Sequence, residues 1–310
     1  MSRGRNRGPF LACYTEFVRR LIVNADDFGM TRGVNRAIVE ASGQGIITST
    51  TLMATARAFD DAVAQAGQLA PRVSIGCHVI LLDGTPALAP SMVPTLLDPL
   101  SRDGAPEFRV KLNDFARASF SGRLNPVEVE AEAMAQMQLL QDAGIQLSHF
   151  DCHKHAHMFP AVLRPLLRAA KSRGIAAVRN PFGRLFPLPV TRILRNPQLW
   201  RRVAELSVLR GFAANFKREV ERRGLRTPDG SVGVLNTGSL DLQSFLVLID
   251  ALPEGTWEFV CHPGYNDAEL DQVRTRLRQS RETELAVFTS PDARVALERH
   301  GVELINYREL

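Results

Sequence analysis

At 310 residues, with 45% hydrophobic and 23% charged residues and no apolar run approaching 18, the chain has the composition of a globular protein with ample core, which argues against a membrane-spanning or disordered chain. Its length suits one α/β barrel, a fold of roughly 250 residues or more. The net charge of +5 gathers as +4 in residues 1–20 and +7 in residues 192–226, leaving −6 for the rest, so no basic face for nucleic acid is indicated.

Residues 1–19 read as a flexible extension: the start is basic, but Glu16 breaks the apolar run and no small-residue cleavage site follows. RLIVNAD (20–26) has strand length, and TRGVNRAIVEASGQG (31–45) follows with helical spacing of Val34, Ala37, Ile38 and Ala41. The alternation continues through IITSTTLMAT (46–55), AFDDAVAQAGQLA (58–70) and RVSIGCHVIL (72–81). Residues 82–125 yield no element and read as a loop excursion over one end of the fold. Asn125-Pro126 then opens a helix that closes at Gly144 and delivers the chain to QLSHFDCHKH, a strand. PAVLRPLLRAAKSRG (160–174) is helical and IAAVRN (175–180) strand-like. After a basic helical insertion or lid at about 185–226 come SVGVLNTG, a helix near 241–251, the strand WEFVCHPGY, helices near 280–288 and 291–300, and VELINY (302–307). Such βα alternation argues one domain over 20–310, built on a parallel sheet or barrel.

Polar groups interrupt these apolar strands at one end only: Asp26 and Asp27, His78, Asp151 with His153 and His155, Arg179 and His262. The C-terminal ends of parallel strands are where α/β folds build active sites. Two adjacent carboxylates suit a division of labour, one binding a cation and the other taking a proton from its water. His262, before a Pro-Gly turn, is placed as a general acid.

HFDCHKHAHM (149–158) holds four of the seven histidines. An extended strand would put His149, Asp151, His153, His155 and His157 on one face, spanning roughly 26 Å, so one ion could take only one or two neighbours. Cys77, Cys152 and Cys261 each directly precede a candidate histidine. Strand neighbours point to opposite faces, so these thiols are expected in the core behind the sheet; Cys13 lies apart, and neither a disulfide framework nor a zinc knuckle is indicated.

RLIVNADDFGMTRGVNRAIVEASGQGIITSTTLM, IGCHVIL with DGTP, HFDCHKHAHMFP, GIAAVRNP, CHPGY and LINYREL, in order over residues 20–310, resemble the YdjC-like carbohydrate deacetylases. The resemblance implies a deformed (β/α) barrel, TIM-like and related to polysaccharide deacetylases, that removes the N-acetyl group of an acetylated amino sugar with one divalent metal, Mg or Zn. By motif, Asp27, His78 and His153 would be the metal ligands, Asp26 the base, His262 the acid, and Arg179 an orienting or charge-stabilising group. Asp151, His155 and His157 would support the ligands or touch substrate.

A hydrolase of another bond, such as a phosphoester, or a sugar- or membrane-binding protein with a vestigial site are the alternatives. The expected setting is the cytoplasm and the expected state a homo-oligomer, a dimer. An oligosaccharide or glycolipid amino sugar is the expected substrate, nucleic acid plays no part, and residues 192–226 offer a membrane contact.

Overall fold

A computed structural model describes residues 18–99, 106–183 and 210–310. Most of the expected extension, Cys13 and the larger part of the basic segment lie outside these described residues. Eight parallel strands form one sheet: β1 (Arg19–Phe28), β2 (Ser49–Leu52), β3 (Ser74–Val79), β4 (Leu147–Cys152), β5 (Ala177–Val178), β6 (Gly230–Val232), β7 (Gly255–Cys261) and β8 (Val302–Leu304). Their order is β5-β4-β3-β2-β1-β7-β6, and β8 lies along the first residues of β1, Arg19–Leu21, while β2 takes over from Asn24.

The sheet curls until its two edges meet. β5 and β6 do not pair directly; instead Ala177 bridges Arg226, with Val178 N donating to Arg226 O at 2.9 Å and Arg226 N to Ala176 O at 2.8 Å. The Asn180 amide reaches the Pro228 and Asp229 carbonyls at 3.2 and 3.0 Å, and Ser231 Oγ donates back to Asn180 O at 2.6 Å. The result is the expected α/β architecture, a deformed barrel sealed at one seam by a bridge and side chains rather than a full ladder.

Strand alternation divides the residues cleanly. Leu21, Val23 and Ala25 of β1, Cys77 and Val79 of β3, Phe150 and Cys152 of β4, and Trp257, Phe259 and Cys261 of β7 enter the main apolar core with the helices. The opposite residues, among them Asn24, Asp26, Thr51, His78, His149, Asp151 and Glu258, are buried and polar. Four residues floor the barrel apart from that core: Ile22, Ala177, Ile305 and Tyr307. Tyr307 stacks on His149 at 3.6 Å between ring centroids and donates to Glu258 Oε2 at 2.5 Å. Gly76 makes room for this stack, since a Cβ there would lie 2.6 Å from the His149 ring.

The helices start where the sequence marks them. Thr31 caps α1 (Arg32–Gln44) by accepting from Val34 N, and Asn125 caps α4 (Pro126–Asp142) by accepting from Val127 N, with Pro126 in the first turn. The segment 82–125 is not the plain loop expected. It holds a short antiparallel bridge, Leu97 to Phe108, and helix α3 (Leu112–Phe120). Nine residues are too few to establish a helical period, and Lys111 at the N-cap makes no side-chain cap, so the usual start signal is missing. Within the basic segment, helix Ala213–Arg222 buries Phe216 and Val220, and its Glu219 pairs with Arg164 of α5 (Pro160–Ser172) at 3.3 Å. That part is a packed helix.

Candidate active site

The two neighbouring aspartates would point to opposite faces of a regular strand. The β1–β2 register shifts between Ala25 and Phe28, and Asp27 sits at φ 70°, a left-handed conformation that Asp tolerates better than most residues. This turn keeps both carboxylates at the open end of the barrel. Asp26 is gripped by Arg179, which donates from Nη2 to Oδ1 at 2.5 Å and from Nη1 to Oδ2 at 2.7 Å; Asn24 adds a bond to Oδ1 at 2.8 Å. Asp27 gives Oδ2 to Arg281 Nη2 at 2.6 Å, leaving Oδ1 to face His78 Nε2 at 3.5 Å and His153 Nδ1 at 3.6 Å. Burial alone would raise both carboxyl pKa values, but Arg179 at Asp26 and Arg281 at Asp27, with the nearby histidines, outweigh it and hold both well below the usual range.

His78 presents Nε2 to Asp27 and to His153, whose Nδ1 is 3.3 Å away. Its other nitrogen is fixed by Asp151 Oδ1 at 2.7 Å, with Thr51 Oγ1 at 3.2 Å. Burial disfavours a charged ring, yet Asp151, Asp26 and Asp27 together raise the His78 pKa to about 9. The local field therefore favours a positive charge at this point.

The alternation that would line up five residues from His149 to His157 does not persist. β4 stops at Cys152, and residues 153–158 form a tight 3₁₀ segment interrupted by Lys154 (φ 52°) and His155 (φ 55°), both left-handed. Each such non-glycine residue costs about 1–2 kcal/mol, so the turn must be held by its contacts. His153 stays beside His78 at the strand end, and the turn that follows takes the chain off the line of the strand. His149 lies deep in the barrel, its Nε2 3.2 Å from Asn24 Oδ1. His155 has a buried Nδ1 without a hydrogen bond, and burial, then Arg179, lower its pKa to about 3. His157 is fully buried, 6.3 Å from the Phe216 ring.

Arg179 is fully buried among three carboxylates: Asp26, Asp151 and Glu258, the last receiving Nε at 2.8 Å. Its donors are turned to these three carboxylates, and two of them hold Asp26. His262 Nε2 lies 3.8 Å from Asp26 Oδ2. Glu284 accepts from the His262 backbone N at 2.6 Å and sits 3.9 Å from its Nδ1. Burial lowers the His262 pKa to about 4 and raises that of Glu284 to about 7.

Arg281, Glu284, Glu258, Asn24 and Thr51 all belong to this site and were not singled out from the sequence. A charge in the middle of the apolar run WEFVC was a usable sign for Glu258. No such sign marks Arg281 and Glu284, which sit in the polar first turns of a helix (Gln279–Thr289) and read there like residues of a solvated face.

A cavity of about 290 Å³ opens beside His153, lined by Met30, Met53 and Ile80 and by the polar Thr55, Arg57 and Arg274. Asp27, His78 and His153 each offer one donor atom, all within 4.8 Å of one another. Their separations of 3.3, 3.5 and 3.6 Å form a nearly equilateral triangle. Ligands about 2.1 Å from an ion in tetrahedral directions lie roughly 3.4 Å apart, so the three atoms fit one ion as they stand. Asp26, His78 and Asp151 also cluster, but Arg179 already pairs with both aspartates and supplies the cation there.

The model of the YdjC-like protein family matches residues 20–299, and the chain belongs to that family. It is 30% identical over 294 residues to a carbohydrate deacetylase of Brevibacillus brevis, covering 94% of this chain and 99% of the relative. A carbohydrate deacetylase of Thermoanaerobacter pseudethanolicus is 25% identical over 290 residues, with 94% and 98% covered. Among solved structures, a protein of Enterococcus faecalis V583 described as a cellobiose-phosphate cleavage protein superposes with a TM-score of 0.73 at 27% identity, over 94% of this chain and 98% of that one.

Proposed function

We propose that this protein is a metal-dependent carbohydrate N-deacetylase, hydrolysing the acetamide of an acetylated amino sugar to acetate and a free amine. The observation that carries the reading is the meeting of three groups at the open end of one barrel: the donor triangle Asp27, His78, His153; the fixed carboxylate Asp26; and His262 within 3.8 Å of it. The names of the curated relatives support the substrate class.

Asp27 Oδ1, His78 Nε2 and His153 Nδ1 would hold the metal, with Asp151 orienting His78 through its second nitrogen. A divalent metal bound there supplies Lewis acidity, polarising the acetyl carbonyl and acidifying a water. Two imidazoles, one carboxylate oxygen and a tetrahedral spacing support zinc over magnesium, which prefers oxygen ligands at octahedral spacing. Asp26, pinned by Arg179, accepts the proton of the attacking water, and His262, left neutral by its burial, takes that proton over and passes it to the amine nitrogen as the C–N bond breaks. The 3.8 Å between Asp26 Oδ2 and His262 Nε2 lets both act on one reacting group. Glu284 holds the His262 backbone in place.

Among the described residues no helix is long and apolar enough to cross a membrane. A cytoplasmic setting and a dimer belong to this proposal too. The test is acetate release from N-acetylated chitooligosaccharides and from N-acetylglucosaminyl lipids, with and without chelator, for wild type and Asp26→Asn. Chelator-sensitive release that disappears in Asp26→Asn supports the reading; stoichiometric metal binding without acetate from any of these substrates overturns it. His153→Ala should lose metal and activity together, while His157→Ala should keep its metal.

A further inference from the structure

We infer that Lys154 and Asp83 form a positioning latch that presents His153 to the metal triangle, an inference that rests on the metal-site reading above. Three observations meet here. Lys154 follows His153 directly and holds the first of two consecutive left-handed conformations, at φ 52°. Asp83, on the distant segment after β3, is also left-handed at φ 53°. Their side chains join these two strained positions, Lys154 Nζ donating to Asp83 Oδ2 at 2.5 Å and to Val110 O at 3.2 Å.

Neither residue gains from its backbone conformation alone, since a side chain in this region crowds the following carbonyl. A strained turn persists when surrounding contacts over-determine it, and the ion pair with the Val110 bond supplies such contacts. The geometry it fixes is specific. The turn begins just past His153, so the backbone that carries the imidazole is held from both ends, by β4 before it and by the latched Lys154 after it. With the turn, His153 Nδ1 stands 3.3 Å from His78 Nε2 and 3.6 Å from Asp27 Oδ1.

Asp83 is itself held from the other side, where Arg274 Nε approaches Oδ1 at 3.3 Å and Arg274 Nη2 donates to Glu107 Oε2 at 2.6 Å. The carboxylate side chain is only 7% exposed, whereas that of Lys154 is 33% exposed, so the lysine can be changed without opening the core. Groups that orient a ligand from outside the coordination sphere typically change metal affinity 10- to 100-fold, and the latch belongs to that class.

The test is zinc affinity by competition with a chelating indicator, together with thermal melting of the metal-free proteins, for wild type, Lys154→Met, Asp83→Asn, Lys154→Arg and His153→Ala. Lys154→Met and Asp83→Asn should each bind zinc about 10-fold more weakly or worse while melting with wild type when metal-free, and Lys154→Arg should recover most of the affinity. Should Lys154→Met fail to fold, Asp83→Asn alone decides. Unchanged zinc affinity in the foldable variants, or a loss that Lys154→Arg does not recover, overturns the latch. If wild type binds zinc no better than His153→Ala, it is the metal-site reading that falls.

Discussion

On β7, Trp257, Phe259 and Cys261 face the helices, while Glu258 and, one step past the strand, His262 face the barrel. The same split runs through β1, β3 and β4: the outer face is a continuous apolar core and the inner face a connected set of carboxylates, imidazoles, hydroxyls and one guanidinium. A TIM-like barrel more often fills its centre with branched apolar side chains. Among the described residues the floor of Ile22, Ala177, Ile305 and Tyr307 keeps that habit, as does Val260, buried between Glu258 and His262. Stability is thus assigned mainly to the outer layer, and the inner layer, buried and polar, is free to hold charges in fixed relation.

Four measurements sharpen that division. The largest effect is expected from Asp26→Asn, an inner change that keeps shape and leaves Arg179 paired to Asp151 and Glu258. Deacetylation should fall about 10²- to 10⁴-fold, and because the lost charge also faced the buried Arg179 the melting temperature should fall as well, while the metal triangle keeps its zinc. Next comes Phe259→Ala on the outer face of the same sheet, where Phe259 lies between Phe245 and Phe288 at 5.3 and 5.5 Å. It should cost about 3–5 kcal/mol in denaturant unfolding, while the protein that stays folded keeps its metal and its rate. A comparable loss of rate from both variants would erase the distinction between the layers.

Glu284→Gln probes the inner layer through pH. Burial raises the Glu284 pKa from 4.5 to about 7, so the folded state resists its ionisation. A carboxyl whose folded pKa is raised is without penalty below the unfolded value, and its penalty grows as pH climbs from 4.5 to 7 and then levels. Relative to Glu284→Gln, wild type should therefore lose roughly 2–3 kcal/mol of stability between pH 4.5 and 8. Denaturation midpoints at the two pH values measure it; a gap that does not change with pH would show that Glu284 keeps an ordinary carboxyl pKa. The smallest effect is expected from Cys152→Ser. A buried hydroxyl replacing a thiol should cost about 1–3 kcal/mol, with metal stoichiometry and activity intact. Lost metal would place a cysteine in the site after all.

Much of this was legible. Periodic apolar spacing and the Asn125-Pro126 signal located the βα units, and polar residues confined to strand ends picked out Asp26, Asp27, His78, His153, Arg179 and His262, which the fold gathers at one end. What the sequence did not disclose follows from long-range geometry. Strand propensity gives no reason for β4 to stop at Cys152; the turn that follows it carries Lys154 to a meeting with Asp83, 71 residues earlier. Arg281 is another such case, since the lone arginine of its helix becomes the partner of Asp27 only once a separation of 254 residues has been closed. Helix α3 went unread because nine residues without a cap carry too little pattern.

The placement of β1 has a consequence for the life of the chain. This first strand carries both aspartates, yet its neighbours include β7 and β8, from the far end of the sequence. Contacts of that separation form late and slowly, because a long loop must close before they contribute. During synthesis, Asp26 would therefore wait for more than half of the polypeptide to emerge before meeting Arg179, and Asp27 for nearly all of it before meeting Arg281. Until then β1 has β2 as its neighbour while the edge that will take β7 stays open, an apolar strand edge of the kind that invites pairing with other chains.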